Sequence, residues 1–179
     1  MADHSNEITA LPALLHALEL AGCVVTVDAL NCQKTVAKEI IGADAEYVLA
    51  LKGNHGVLHE EVKTFLDDAL AGAWRGVPHA AHQTLDKEHG RHEQRRYWIT
   101  EQIDWLADKA QWEGLRSVAV VESERTVCGQ VQTQRRYYLT SLPADAVRLA
   151  GAVRGHWEVE NSVHWVLDVQ LGEDAHGLR

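Results

Sequence analysis

Basic residues are in deficit. The 179-residue chain has 17 Lys and Arg against 26 Asp and Glu, a formal charge of −9. A protein that coats nucleic acid indiscriminately would be basic, so that class is disfavoured. An enzyme with acidic metal ligands that touches DNA through local basic patches is still allowed. Long apolar runs are missing too. None approaches the roughly 18 residues of a membrane span. Met1 to Asn6 is polar and the next segment has helical spacing, so no signal peptide is read there. Cysteine is scarce. Cys23, Cys32 and Cys128 are odd in number and scattered, which argues against a disulfide framework and for a cytoplasmic protein with reduced thiols. What the chain does have is 46% apolar residues. That suffices for the core of one ordinary domain and is too rich in aliphatics for a disordered chain.

The first half alternates helix and strand. Thr9 is placed to cap a helix whose first turn tolerates Pro12. Leu11, Leu14, Leu15 and Leu18 follow at helical spacing, with Gly22 as the stop. The β-branched run from Cys23 to Asp28 predicts a buried strand ending in a carboxylate. Asn31 is the expected cap of a second helix through Ile41, closed by Gly42, and Tyr47 to Leu51 predicts a second buried strand. Two such strands joined by a helix make a βαβ unit with parallel pairing. A loop over 52–56 and a third helix from Val57 to Leu70 follow. From about Gln83 the texture changes. Tyr97 to Thr100, Ser117 to Glu122 and Arg136 to Thr140 are β-prone and separated by charged or glycine-bearing turns, which predicts an antiparallel sheet. Pro143 then precedes a helix from Ala144 to about Val153, and 156–167 predicts another.

Three features could carry chemistry. Asp28 ends a buried parallel strand, the edge at which open α/β sheets gather ligands. Directly behind Val24-Val25-Thr26-Val27 it is expected to be partly desolvated, though an acidic residue opening a turn would look the same. The second feature is the stretch from His156 to Trp165, in which His156, Glu160 and His164 recur every four residues and share a helical face. An amphipathic helix packing Trp157 and Trp165 explains it; so does a carboxylate held at a metal site. As zinc ligands the three have the right types but not the usual spacing. The third feature runs from Lys87 to Trp98, with Arg91, Arg95 and Arg96 beside Tyr97 and Trp98, and is echoed by Arg135-Arg136-Tyr137-Tyr138. Basic residues beside aromatics can meet phosphates, and cross-strand Arg–Glu pairing explains them equally well.

Several segments together resemble one family. They are Ser5 to Pro12, Val27-Asp28-Ala29, Tyr47 to Asn54, His89-Gly90-Arg91 with Arg95-Arg96-Tyr97, Val121 to Arg125, and Arg154-Gly155-His156-Trp157 through Glu160-Asn161. They resemble, in order and over essentially the whole chain, the DDE transposases of bacterial insertion sequences, in the branch that includes the H-repeat-associated proteins. The resemblance implies an α/β fold with a ribonuclease H-like core. It divides the chain into an α/β half of that core (1–75), a β-rich insertion (76–142) and a helical part carrying the catalytic glutamate (143–179). It also implies metal-dependent cutting and joining of DNA strands, with three carboxylates holding two Mg²⁺ or Mn²⁺ ions.

The second aspartate of that triad matches Asp28 and the glutamate matches Glu160, with Glu158 as a weaker neighbour. Lys52, Asn54, Arg91, Arg95, Arg96, Arg154 and His156 are the DNA-binding candidates. The expected partners are DNA at insertion-sequence ends and target sites, and a second transposase chain; no membrane is implied. The first aspartate of the family normally lies upstream of Ser5, and Asp3 is a poor substitute. The expectation is therefore a core lacking its opening strands, inactive alone, with an open edge on the strand of Asp28. The alternative is a non-catalytic remnant that acts at most as a DNA-binding or transposase-assembly module.

Overall fold

The computed structural model describes residues 14–15, 17–88, 91–127 and 130–159. Along the chain run β1 (Val24–Val27), α1 (Lys34–Gly42), β2 (Glu46–Leu51), α2 (Val57–Ala71), β3 (Ala80–Glu88), β4 (Arg91–Thr100), β5 (Ser117–Val127), β6 (Gln130–Thr140) and α3 (Ala146–Val159). The strands form one six-stranded sheet in the order β1-β2-β6-β5-β4-β3. β1 and β2 are parallel, with Val24 opposite Glu46 and Val27 opposite Leu49, and every other pairing is antiparallel. The architecture is mixed α/β.

The two-residue period of the strands sorts their side chains between two cores. Tyr47, Leu49, Leu51, Val118, Val120, Tyr137 and Leu139 face one side, where Val36, Ala37 and Ile40 of α1 and Leu58, Val62 and Leu66 of α2 cover them. Val48, Tyr97, Ile99, Ala119, Val121 and Tyr138 face the other, under Ala146, Leu149, Ala150 and Val153 of α3. A fully buried leucine or valine in such a core is worth about 1.5–3 kcal/mol relative to exposure. The seam between the parallel and antiparallel parts is also polar. The Thr140 hydroxyl donates to the Tyr47 carbonyl at 2.6 Å, and the Tyr47 N–H donates to the Ser141 hydroxyl at 2.8 Å. These groups are buried, so each bond must be made for the seam to close.

The parallel pair and the three inner helices lie where the sequence predicts them, with several differences. Asn31 does not cap α1, which begins three residues later behind an extended Gln33 with no side-chain cap. Its side chain and backbone N–H turn back to Asp28 instead. β3 is a strand the sequence does not announce, because Ala80–Glu88 is polar on both faces and lacks alternation. β4, β5 and β6 are longer than their apolar halves, for the same reason. Finally, α3 starts at Ala146, capped by Asp145, whose Oδ1 accepts the N–H groups of Val147 and Arg148 at 3.0 Å. It then passes straight through Gly155 to Val159, and the rest of the helix predicted over 156–167 lies outside the described residues. The expected Thr9 cap and Pro12 lie outside the described residues. Gly22 is not the stop of the first segment, which leaves the helix after Ala17; at φ 76° it shapes the turn into β1, and its N–H donates to the Asp44 carbonyl at 2.9 Å.

Candidate active site at the carboxyl edge of the parallel strands

Thr26 of β1 faces α3, since Val24, two residues earlier, packs into the same cluster as that helix. Asp28 directly follows the end of β1 and lines the same cleft as Thr26. Two contacts fix the course of α3. Arg148, early in the helix, pairs with Glu46 at the start of β2. His156, near its end, sits with Nδ1 3.1 Å from the Thr26 hydroxyl. The helix therefore runs along the parallel strands toward their carboxyl ends.

Asp28 is exposed, not partly desolvated as the sequence suggests, because the chain turns into a loop directly behind Val27. Its Oδ1 accepts the backbone N–H of Asn31 at 3.1 Å and the Asn31 amide at 3.3 Å. The Asn54 amide donates to the Ala29 carbonyl at 2.8 Å and ties the loop after β2 to the loop after β1. Below the loop Cys32 is fully buried, and burial, helped by the charge of Asp28, pushes its thiol up to about 12. The free thiol therefore stays protonated at neutral pH.

A cleft of about 400 Å³ opens beside Asp28. Asp28 is its only carboxylate among the described lining residues, and Lys52, His59, Arg135, Arg136 and His156 supply the cationic and imidazole groups. Arg135 is anchored by Glu122 at 2.8 Å and by Asp67 at 3.0 Å, and these carboxylates hold its guanidinium above its ordinary pKa. Tyr137 donates to Asp67 at 2.8 Å; burial first, then that bond, pushes its phenol up. His59 stacks edge-on against Tyr137 at 5.7 Å. Among the described residues no group of three His, Cys, Asp or Glu side chains converges to hold a metal ion.

Of the sequence candidates, Asp28, Lys52 and His156 come together at this cleft, with Asn54 shaping its loop. Arg95 pairs with Asp86 at 3.1 Å and Glu93 at 2.9 Å, and Arg154 reaches Asp86 at 3.4 Å. Arg96 lies on the other face of the sheet, between Glu122 at 3.0 Å and Glu124 at 2.6 Å. Neither Arg95 nor Arg96 lines the cleft. Glu160 and the side chains of Glu158 and Arg91 lie outside the described residues. Sequence reasoning did not single out His59 or Trp157 as cleft residues. Arg135 and Arg136 had a signal in the Arg-Arg-Tyr-Tyr run, but their role depends on the register of β6.

The family model described as "Transposase DDE domain" matches residues 2–179. The chain belongs to the DDE transposase family. It is 36% identical to the "H repeat-associated putative transposase YhhI" of Escherichia coli K12 over 99% of its own length, which is 47% of that protein. It is 44% identical to the "Uncharacterized protein in dhlA 3'region" of Xanthobacter autotrophicus over 79% of its length, 46% of that protein. The chain thus spans about half the length of the curated relatives it matches. The mixed α/β sheet is the ribonuclease H-like architecture expected of this transposase domain. No helix among the described residues is long and apolar enough to cross a membrane.

Proposed function

We propose that this transposase domain supplies part of a site for metal-dependent cutting and joining of DNA strands in the cytoplasm, with Asp28 and Glu160 as ligands of Mg²⁺ or Mn²⁺. One observation carries the reading. Asp28 directly follows the end of a parallel strand and lines one cleft with Thr26 and His156, where α3 meets that strand, four residues before Glu160 in sequence. The donor chemistry fits. Asp28 offers a hard carboxylate oxygen at a solvent-open edge, and its rotamer is held by Asn31 through Oδ1 alone. When bound, a metal pair activates the attacking oxygen and stabilises the leaving one.

The chain's own residues bind and orient. Lys52, Arg135 and Arg136 place positive charge along the cleft, where phosphate oxygens would lie. His156 keeps the helix against Thr26, and Asn54 sets the loop that presents Lys52. We assign Arg95, Arg96 and Arg154 to bracing the sheet, since their partners are carboxylates of the same fold. DNA at insertion-sequence ends, target DNA and a second transposase chain are the partners of this proposal. The test is Mn²⁺ binding by electron paramagnetic resonance, with cleavage of duplex oligonucleotides as the functional arm. Asp28→Asn should abolish both. Lys52→Gln should leave metal binding unchanged and reduce the salt slope of DNA binding by about one.

A second reading, an assembly module that cuts nothing alone, is supported by the edge of the sheet. β1 is an edge strand among the described residues, and its Val-Val-Thr-Val backbone is a template for another strand. Self-association on size-exclusion chromatography without cleavage would favour it; a monodisperse species that cleaves DNA would count against it.

A further inference from the structure

The last turn of α3 is gripped from the antiparallel side of the sheet as well as from β1. The Arg136 guanidinium of β6 lies 3.8 Å from the centre of the Trp157 ring, close enough for a strong cation–π stack. Arg95 of β4 stands 5.9 Å from the same ring. The Trp157 indole packs against the core cluster that contains the buried Tyr138. One turn earlier, Arg154 reaches Asp86 of β3, which also receives Arg95. Four strands therefore contact two turns of helix: β1 through Thr26, and β3, β4 and β6 through Asp86, Arg95 and Arg136.

Packing of Leu149, Ala150 and Val153 fixes the helix axis but resists rotation about that axis only weakly. A planar guanidinium against a planar indole, 21 residues apart in sequence, fixes the rotation as well. We propose that Arg136 and Trp157 form a clamp by which the antiparallel strands set the angular position of the end of α3 relative to Asp28. Arg136 and Trp157 are positioning residues: neither has to touch a reacting atom. This also gives the antiparallel strands a function distinct from contacting DNA, because without β6 the helix end would lose its nearest cation–π contact and keep only Thr26, Asp86 and the more distant Arg95. The inference rests on the proposed metal site for its consequence, not for its geometry.

The full chain tests it with Arg136→Gln and Trp157→Phe, neither of which removes a fully buried side chain. Hydrogen exchange at amides 154–159 should quicken in both variants, while amides of Leu49 and Leu139 keep their protection. Mn²⁺ affinity should fall on the order of tenfold, the usual effect of losing a group that orients a metal ligand. Arg136→Lys, which keeps the charge but loses the planar stack, should behave like Arg136→Gln; full rescue by lysine would overturn the stacking argument. Unchanged exchange would overturn the clamp outright. Faster exchange with wild-type Mn²⁺ affinity would overturn its positioning role. If the wild type binds no Mn²⁺, or Asp28→Asn makes no difference, the metal reading fails on its own controls and the exchange result alone decides the clamp.

Discussion

The same strands change character midway. In the inner halves of β5 and β6, Val118 to Val121 and Tyr137 to Thr140 are buried on both faces. In the outer halves, Gln130 to Arg135 are all exposed and the sheet is polar on both faces. The backbone ladder runs through the boundary without interruption. What changes is the cover, since the apolar residues of α1, α2 and α3 pack only on the inner part. Outer stability must come from cross-strand side chains. Arg96, Glu122 and Arg135 stand directly opposite one another on three neighbouring strands and form a continuous ion-paired row. On the opposite face Glu93 takes Arg125 at 2.8 Å. One sheet thus contains a region held by the hydrophobic effect and a region held by paired charge.

Leu139→Ala should have the largest effect and act on the whole molecule. Leu139 is fully buried between β2 and β5, under the helices. The truncation should cost about 2–5 kcal/mol, read as a fall in the urea midpoint with an unchanged slope. Amides of inner and outer strands should lose protection together. A loss confined to the inner strands would mean that the two regions unfold separately and are less coupled than the continuous ladder suggests.

Glu122→Ala should have a smaller and local effect. Its side chain is 9% exposed, while the two arginines flanking it keep about a third of theirs in water. Removing it leaves two partly exposed cations without a shared partner, at a cost of about 1–2 kcal/mol once solvent screening is allowed for. Hydrogen exchange should quicken at residues 93–96 and 122–125 and stay slow at 118–121. Equal loosening on both sides of the boundary would refute the division.

This division also explains what could be read in advance. β1 and β2 are continuous apolar runs because both faces are covered, and such runs announce themselves. β3 and the outer halves of β5 and β6 have no apolar period; the sequence Ala-Ala-His-Gln-Thr-Leu-Asp-Lys-Glu becomes a strand only because β4 pairs with it. α3 continues past the predicted break to Val159 because Gly155 stands in open space, where its missing side chain creates no gap. The site divides the same way. Asp28 was legible from its place at the end of an apolar strand. His59 was not, because a histidine in the first turn of α2 carries no signal until Tyr137, 78 positions away, is packed against it. The basic run around Arg95 and Arg96 was legible as charge, but only the register shows that both are paired with carboxylates.

Asp67 gives the smallest and most discriminating test, since it stands where the two regions meet. Its Oδ1 accepts from Tyr137 of the inner half and Arg135 of the outer half, and Oδ2 accepts from Lys63 of α2 at 2.8 Å. Burial alone would raise this carboxyl, but the three donors outweigh it and hold it below its ordinary value of 3.8. A carboxyl lowered on folding contributes stability that is fully present above the unfolded pKa and is lost as pH falls through the folded one. The window therefore lies below about pH 4. Asp67→Asn should lower the urea midpoint modestly at pH 7 and lose less than the wild type when the pH is taken from 4 to 3. If Asp67 ties the regions together, the wild type should loosen first at pH 3 along β6 from Arg135 to Tyr137, ahead of Leu139. Parallel acid limbs in wild type and variant would show that another carboxylate governs the acid response, and that the boundary between the regions is held by the backbone ladder alone.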